Sequence, residues 1–246
     1  MDRSLYVAMS GAKQILQAQT ANANNLANVN TTGFRADLEQ FRSMPVFGDG
    51  YPSRVYAMTE RPATDFNAGA IQSTGRELDV AIKGKGWIAV AAEDGAEAYS
   101  RAGDFRITAE GQLQTGAGLP VLGEGGPIAI PPAEKVDIGS DGTITVVPLG
   151  GNAKTLAIVD RIKLVNPPLD QLEKRNDGLI ILKEGGEAEA SAEVELVSGA
   201  LESSNVSAIG AMVNMIEFAR QYELQIKMMK AVDENDSAST QMMRMG

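Results

Sequence analysis

Two glycine-rich runs, Gly84-Lys85-Gly86 and Gly123-Glu124-Gly125-Gly126-Pro127, and two pairs of carboxylates are where this chain could do chemistry. A glycine run cradles a phosphate when it opens a helix with free amides. Neither run carries the Gly-Lys-Ser/Thr ending of a phosphate-binding loop, and Pro127 falls where such a helix needs an N–H, so both are predicted to be hairpin turns. Asp137 and Asp141 flank a turn but lack the remaining oxygen ligands of a calcium loop. Asp104 with Asp177 has the residue types of a glycosidase dyad, whose distance a sequence does not give. The chain has no histidine and no cysteine, which removes His-based triads, Cys/His zinc sites and disulfides. We therefore expect no catalytic, cofactor-binding or metal residue: the chain reads as a non-enzyme.

The elements that would position these groups are short strands. From Arg76 to about Val197 turn dipeptides recur at Asp94-Gly95, Glu110-Gly111, Asp141-Gly142 and Asp177-Gly178. They flank apolar alternations such as Leu78/Val80/Ile82, Phe105/Ile107, Val136/Ile138 and Ile144/Val146, the pattern of antiparallel hairpins. Trp87 is expected in the core, and the acidic run Glu184 to Glu195 in solvent.

The two ends follow a different grammar. From Ser204 to Met245 there is no proline, one glycine and seven of the eleven methionines, the composition of a long helix, with Ser203, Ser204 or Asn205 available as its N-cap. One stripe along it is Met212, Met215, Ala219, Tyr222, Ile226, Met229. Another is Leu224, Met228, Ala231, Asn235, Ala238, Met242, Met245, a 3.5-residue period that calls for a partner helix. A first helix, Arg3 to Leu26, carries Leu5, Met9, Ala12, Leu16, Gln19, Ala23 and Leu26 on one stripe and Ala8, Gly11, Ile15, Ala18, Asn22 and Asn25 on the next. Asn28 to Gly33 should stop it and turn the chain, with Phe34 as an apolar anchor.

Residues 34–75 hold Phe41, Phe47, Tyr51, Tyr56 and Phe66 between Pro45, Pro52 and Pro62 without a sustained period, and read as an extended connector. Some of these aromatics are expected to reach other subunits. The fold class is thus α+β: long N- and C-terminal helices paired as a coiled-coil-like layer, with an intervening all-β antiparallel domain. The boundaries are 1–33 and 203–246 for a discontinuous helical domain, inner and axial, and 76–202 for an outer β domain.

Charge narrows the partners. The ends are nearly neutral and the middle carries the whole net charge of −10, which repels nucleic acid and anionic lipid. No apolar run approaches the ~18 residues of a membrane span, and MDRSLYVAMSGA lacks the basic-then-apolar grammar of a secretory signal. Neither nucleic-acid binding nor membrane insertion is expected.

Two separated motifs complete the reading. Asn24-Asn25-Leu26-Ala27-Asn28 with Thr32-Gly33-Phe34, and Ser198-Gly199-Ala200-Leu201-Glu202-Ser203-Ser204-Asn205-Val206 followed by Met212, Met215-Ile216, Ala219-Arg220, Tyr222-Glu223 and Lys227, resemble the terminal signatures of the bacterial flagellar rod and hook family. Tyr99-Ser100-Arg101-Ala102-Gly103-Asp104-Phe105 and Val121-Leu122-Gly123 resemble its middle domain. The opening Met1 to Met9 and the modest length are most similar to a proximal rod subunit, with the distal rod as runner-up.

The resemblance implies a periplasmic drive-shaft subunit of the basal body that assembles with its own copies and with other proximal and distal rod proteins. It also implies export through the flagellar type III apparatus without a cleavable signal, and no cofactor. The assembly surface would be Leu5, Met9, Ala12, Leu16, Ala23, Leu26, Asn25, Asn28, Gly33, Phe34, Met212, Ile216, Ala219, Tyr222, Ile226, Met228, Ala231, Asn235 and Met242. A β-domain ligand-binding module or hydrolase dimerised by a coiled coil is the competing class; it requires a deep pocket with convergent polar groups in residues 76–197.

Overall fold

The computed structural model describes residues 4–45, 55–148 and 156–244, without the side chains of 4 and 59–62. Met1 to Arg3, Phe47, Tyr51, Pro52 and Met245, all used above, lie outside the described residues, as does the side chain of Pro62. The chain divides into two compact units. Unit 1 is 1–28, 36–65 and 206–246; unit 2 is 29–35 and 66–205.

Unit 1 is a helical layer with a β ribbon. Helix α1, Ser4–Ala27, and helix α2, Ala208–Arg244, lie against each other. The small-residue stripe of α1 faces inward: Ala8, Ala12, Ile15, Ala18, Asn22 and Asn25 are buried. Small side chains let the helix axes approach closely. A Cβ on Gly11 would come within 3.1 Å of the Gln225 side chain.

Asn22 Nδ2 donates to the Ala211 carbonyl at 2.7 Å while Gly11 meets Gln225, so the helices run antiparallel. Continuing that pairing, α2 runs past the start of α1, and every described residue from Asp233 to Arg244 is exposed. Twelve helical residues add about 18 Å of unpartnered rod.

Helix α2 begins later than Ser203–Asn205 suggested. Its cap is Ser207, whose Oγ accepts the Gly210 N–H at 3.2 Å while its carbonyl accepts Ala211 N–H at 2.9 Å. Ser203 and Asn205 are occupied in unit 2, where Ser203 pairs with Ala70 and Asn205 N–H donates to the Phe34 carbonyl. Ser207→Ala should lower the stability of the first turn of α2 by about 1 kcal/mol, read as faster amide exchange at Ile209–Ala211; unchanged exchange would remove the assignment.

The stretch 34–75 is more regular than the sequence suggested. Strands β1, Asp37–Pro45, and β2, Val55–Thr64, pair antiparallel and pack beside α1. The register steps from Leu38↔Ala63 to Gln40↔Glu60, two residues on β1 against three on β2. Pro62 therefore lies in a bulge, one of the few places a strand tolerates proline. That extra residue erases the period-2 signal.

Unit 2 is all β. Strands β3, Ile71–Ser73, and β4, Val80–Lys83, pair with the last strands of the unit, Ala200–Glu202 and Glu195–Ser198. The first and last segments of the unit are thus stitched side by side. Strands β5, Trp87–Ala91, and β6, Glu97–Ser100, lie inside a five-stranded sheet with Leu164–Val165, Ile180–Leu182 and Leu172–Lys174. A three-stranded sheet holds Ala133–Ile138, Thr143–Pro148 and Ala157–Arg161.

Strand β5 is buried on both faces: Ile88 and Val90 join the main core with Phe105, Leu113 and Val121, while Trp87 and Ala89 join Tyr99, Val165 and Ile180. The four turn dipeptides each close a hairpin, as at Ile138↔Ile144, where Gly142 has φ +85°. Gly123–Gly126 also closes one. Gly84–Gly86 does not: β4 and β5 have different partners, so this run links two sheets. In the acidic run, the five glutamates from Glu184 to Glu195 are exposed, and Ala188 and Val194 are buried.

Candidate assembly faces and a buried charge junction

The faces of unit 1 sort the expected assembly residues into three groups: buried, half-buried and exposed. Ala12 and Asn25 are buried within the unit, and both Asn25 amide atoms bond the Asp37 backbone at 2.8 Å. These two offer no surface to another chain. Leu5, Leu26, Asn28, Tyr222 and Ile226 are half-buried.

Met9, Leu16 and Ala23 are exposed at seven-residue spacing along α1, and Met212, Ile216, Ala219, Met228, Ala231, Asn235 and Met242 are exposed along α2. The residues of α2 turned inward are Ala211, Met215, Phe218, Tyr222, Gln225, Met229 and Val232, alternating steps of four and three. Ala211, Phe218, Gln225 and Val232 were missed because neither sequence stripe ran through them. On the far side of the same helix Ile209 is 78% exposed, Ile216 58% and Leu224 62%. The ribbon adds Leu38, Phe41, Met44, Val55 and Met58, each nearly half exposed.

Gly33 and Phe34, the remaining two expected residues, belong to unit 2 and to a buried junction there. Glu202, 1% exposed, receives Arg35 Nη2 on Oε1 at 2.5 Å and Arg101 Nη1 on Oε2 at 2.8 Å. The Gly69 N–H also donates to Oε1, and the Gly33 N–H donates to the Glu202 carbonyl, both at 2.8 Å. Arg101 Nη2 donates onward to the Gly84 carbonyl at 2.7 Å, which gives the Gly84–Gly86 run a structural use.

Trp87 lies beside both guanidinium groups, whose carbons are 5.7 Å (Arg35) and 5.3 Å (Arg101) from the ring centroid, with Phe66 edge-on at 5.8 Å. A guanidinium over an indole face is electrostatically attractive. Lys174 caps Phe34, its Nζ 4.0 Å from the ring.

Residues from three distant segments, Gly33–Arg35, Arg101 and Glu202, therefore meet at one carboxylate. The motif segments around them were visible in the sequence; their convergence was not, because an isolated Arg or Glu reads as surface by default. Gly33 fits by lacking a side chain: its φ is +68°, and a Cβ would stand 2.3 Å from the Arg101 carbonyl carbon. Gly33→Ala should lower the stability of unit 2 on the order of 2–4 kcal/mol, measured as denaturant unfolding followed by Trp87, the chain's single tryptophan. An unchanged midpoint would show that the backbone yields.

The carboxylates with the residue types for chemistry are otherwise engaged. Asp137 bonds Lys135, and Asp177 pairs with Arg175. Asp141 accepts the Thr143 hydroxyl and N–H, hydrogen bonds that hold its carboxyl below the usual range. Asp104 packs beside Gly116. Among the described residues no group of three His, Cys, Asp or Glu could hold a metal, and no helix is long and apolar enough to cross a membrane. A hollow of about 250 Å³ beside Arg161, Lys163 and Ser191 has its cations in use: Lys163 pairs with Glu97 at 2.6 Å and Arg161 Nε with the Asp141 carbonyl.

A chain with exposed apolar helix faces and motif segments fastened around a buried carboxylate is built as a structural subunit. Residues 5–35 match the family model described as flagella basal body rod protein, 81–146 that of the flagellar hook protein FlgE/F/G D1 domain, and 197–242 that of the flagellar basal body rod FlgEFG protein C-terminal. The flagellar basal-body rod protein FlgF of Salmonella typhimurium is 40% identical over 251 residues, covering 100% of both chains, and that of Escherichia coli matches equally. The flagellar basal-body rod protein FlgG of Bacillus subtilis is 33% identical, over 95% of this chain and 96% of its own. The chain belongs to the FlgF family of flagellar basal-body rod proteins.

Proposed function

We propose that the chain is a proximal-rod subunit that assembles with its own copies and with other rod proteins by burying the exposed faces of unit 1. The observation that carries this is the outer face of α2: Ile209, Val213, Ile216 and Leu224 are each more than half exposed on a helix whose inner face is already satisfied by α1. Solvating these apolar side chains is unfavourable by ~25 cal/mol per Å² of apolar surface, so the face favours cover by a neighbour. Contacts that join different patches of successive copies generate rods and tubes instead of closed dimers. The function is then mechanical: torque passes through interlocked helices, and no bond is made or broken.

Delivery through the flagellar type III apparatus to a periplasmic rod belongs to the same proposal. It rests on family membership.

The test uses the missing cysteines. A single cysteine at Leu224 should react with a maleimide in the free chain and be protected in purified basal bodies. Equal labelling in both states would overturn the interface, and the axial position of an electron-dense label at that cysteine would separate a proximal from a distal place in the rod.

A further inference from the structure

All eleven methionines of the chain fall within the segments of unit 1, and unit 2 has none. Four of them, Met212, Met228, Met242 and Met243, are more than half exposed on α2, whereas Met215 and Met229 on the same helix are half-buried toward α1. With no cysteine present, these thioethers are the only oxidisable sulfur.

We infer that the exposed methionines of α2 are a peroxide modification site that marks unassembled subunits and bars them from the rod. In the step, a sulfur lone pair attacks one peroxide oxygen. The S–O bond forms as the O–O bond breaks, and the departing hydroxide takes the proton from the oxygen now bound to sulfur and leaves as water. Sulfur loses two electrons and hydrogen peroxide is reduced, giving methionine sulfoxide.

The product is polar and takes up hydrogen bonds to water. A face that attracted a neighbour through flexible, polarisable side chains then resists desolvation. Assembly would hide the same sulfurs, so the modification discriminates by state. This rests on the reading that neighbours cover the outer face of α2.

The experiment exposes the free full-length chain and purified basal bodies to the same dose of hydrogen peroxide and maps oxygen gain by peptide mass spectrometry. In the free chain Met212, Met228, Met242 and Met243 should oxidise several-fold faster than Met215 and Met229, and in basal bodies those four should stay reduced. Equal rates for the two groups in the free chain overturn the inference and leave the interface standing. Selective oxidation in the free chain with equal oxidation in basal bodies overturns the interface reading itself.

A genetic arm tests the consequence. Replacing all four by glutamine, which resembles the sulfoxide in polarity, should abolish swimming, whereas replacing all four by leucine should preserve it. Normal swimming of the glutamine variant overturns the inference, and so does failure of the leucine variant, which keeps the face apolar.

Discussion

Glu202→Gln will unfold unit 2 at markedly lower denaturant than the parent chain, a loss of about 3–5 kcal/mol. Glutamine keeps the shape of the side chain but removes the charge that two buried guanidinium groups share at 2.5 and 2.8 Å. Arg35 and Arg101 are themselves 2% and 5% exposed, so water does not replace the lost partner. The large effect comes from the cations left buried after the change, and is not the net worth of the intact cluster. Trp87 fluorescence reports it directly, since both arginines stand beside the ring. The exposed pair Lys83–Glu195, at 3.0 Å, is the control: Glu195→Gln should shift stability by less than about 1 kcal/mol. If the two variants unfold alike, the junction is not the fastening described above.

The second large effect is on assembly. Ile216→Asp or Ala231→Asp should leave swimming at the level of a strain lacking the chain, while the unfolding of unit 2 is unchanged. Both side chains are exposed on α2 and make no part of its inward face, so a carboxylate there is harmless to the free subunit and has to be desolvated only when a neighbour docks. Ile226 is the less informative position, because it is half-buried at the edge of the α1 contact. Phe218→Ala makes the complementary case: it should loosen unit 1 itself, seen as faster amide exchange along α1. Swimming at the normal rate by the Ile216 and Ala231 variants would separate this face from function.

How much of this was legible in the sequence differs by element. The helical ends and their alternating apolar steps could be read directly, since a 3.5-residue period survives without tertiary information. Which face turned inward could not: of the two stripes on α1, the one with Ala8, Ile15 and Ala18 packs inside, while on the other only Ala12 is buried and Met9 and Leu16 stay out. Close approach, not side-chain size, decided it. The hairpins of unit 2 were readable from their Asp-Gly and Glu-Gly turns, whereas the β1–β2 ribbon was hidden by its bulge at Pro62.

Asn25, an expected assembly residue, holds the Asp37 backbone within unit 1. Arg35, Arg101 and Glu202 carried no periodic signal, and a contact across 167 residues leaves no local trace.

That separation also sets an order of events. A chain that emerges amino end first from a ribosome presents Arg35 and then Arg101 long before Glu202 exists to neutralise them. Strands β3 and β4 must likewise wait for the segments at 195–202. Such late, long-range closure makes folding slow, so unit 2 stays an open thread until the last fifth of the chain is present to close it.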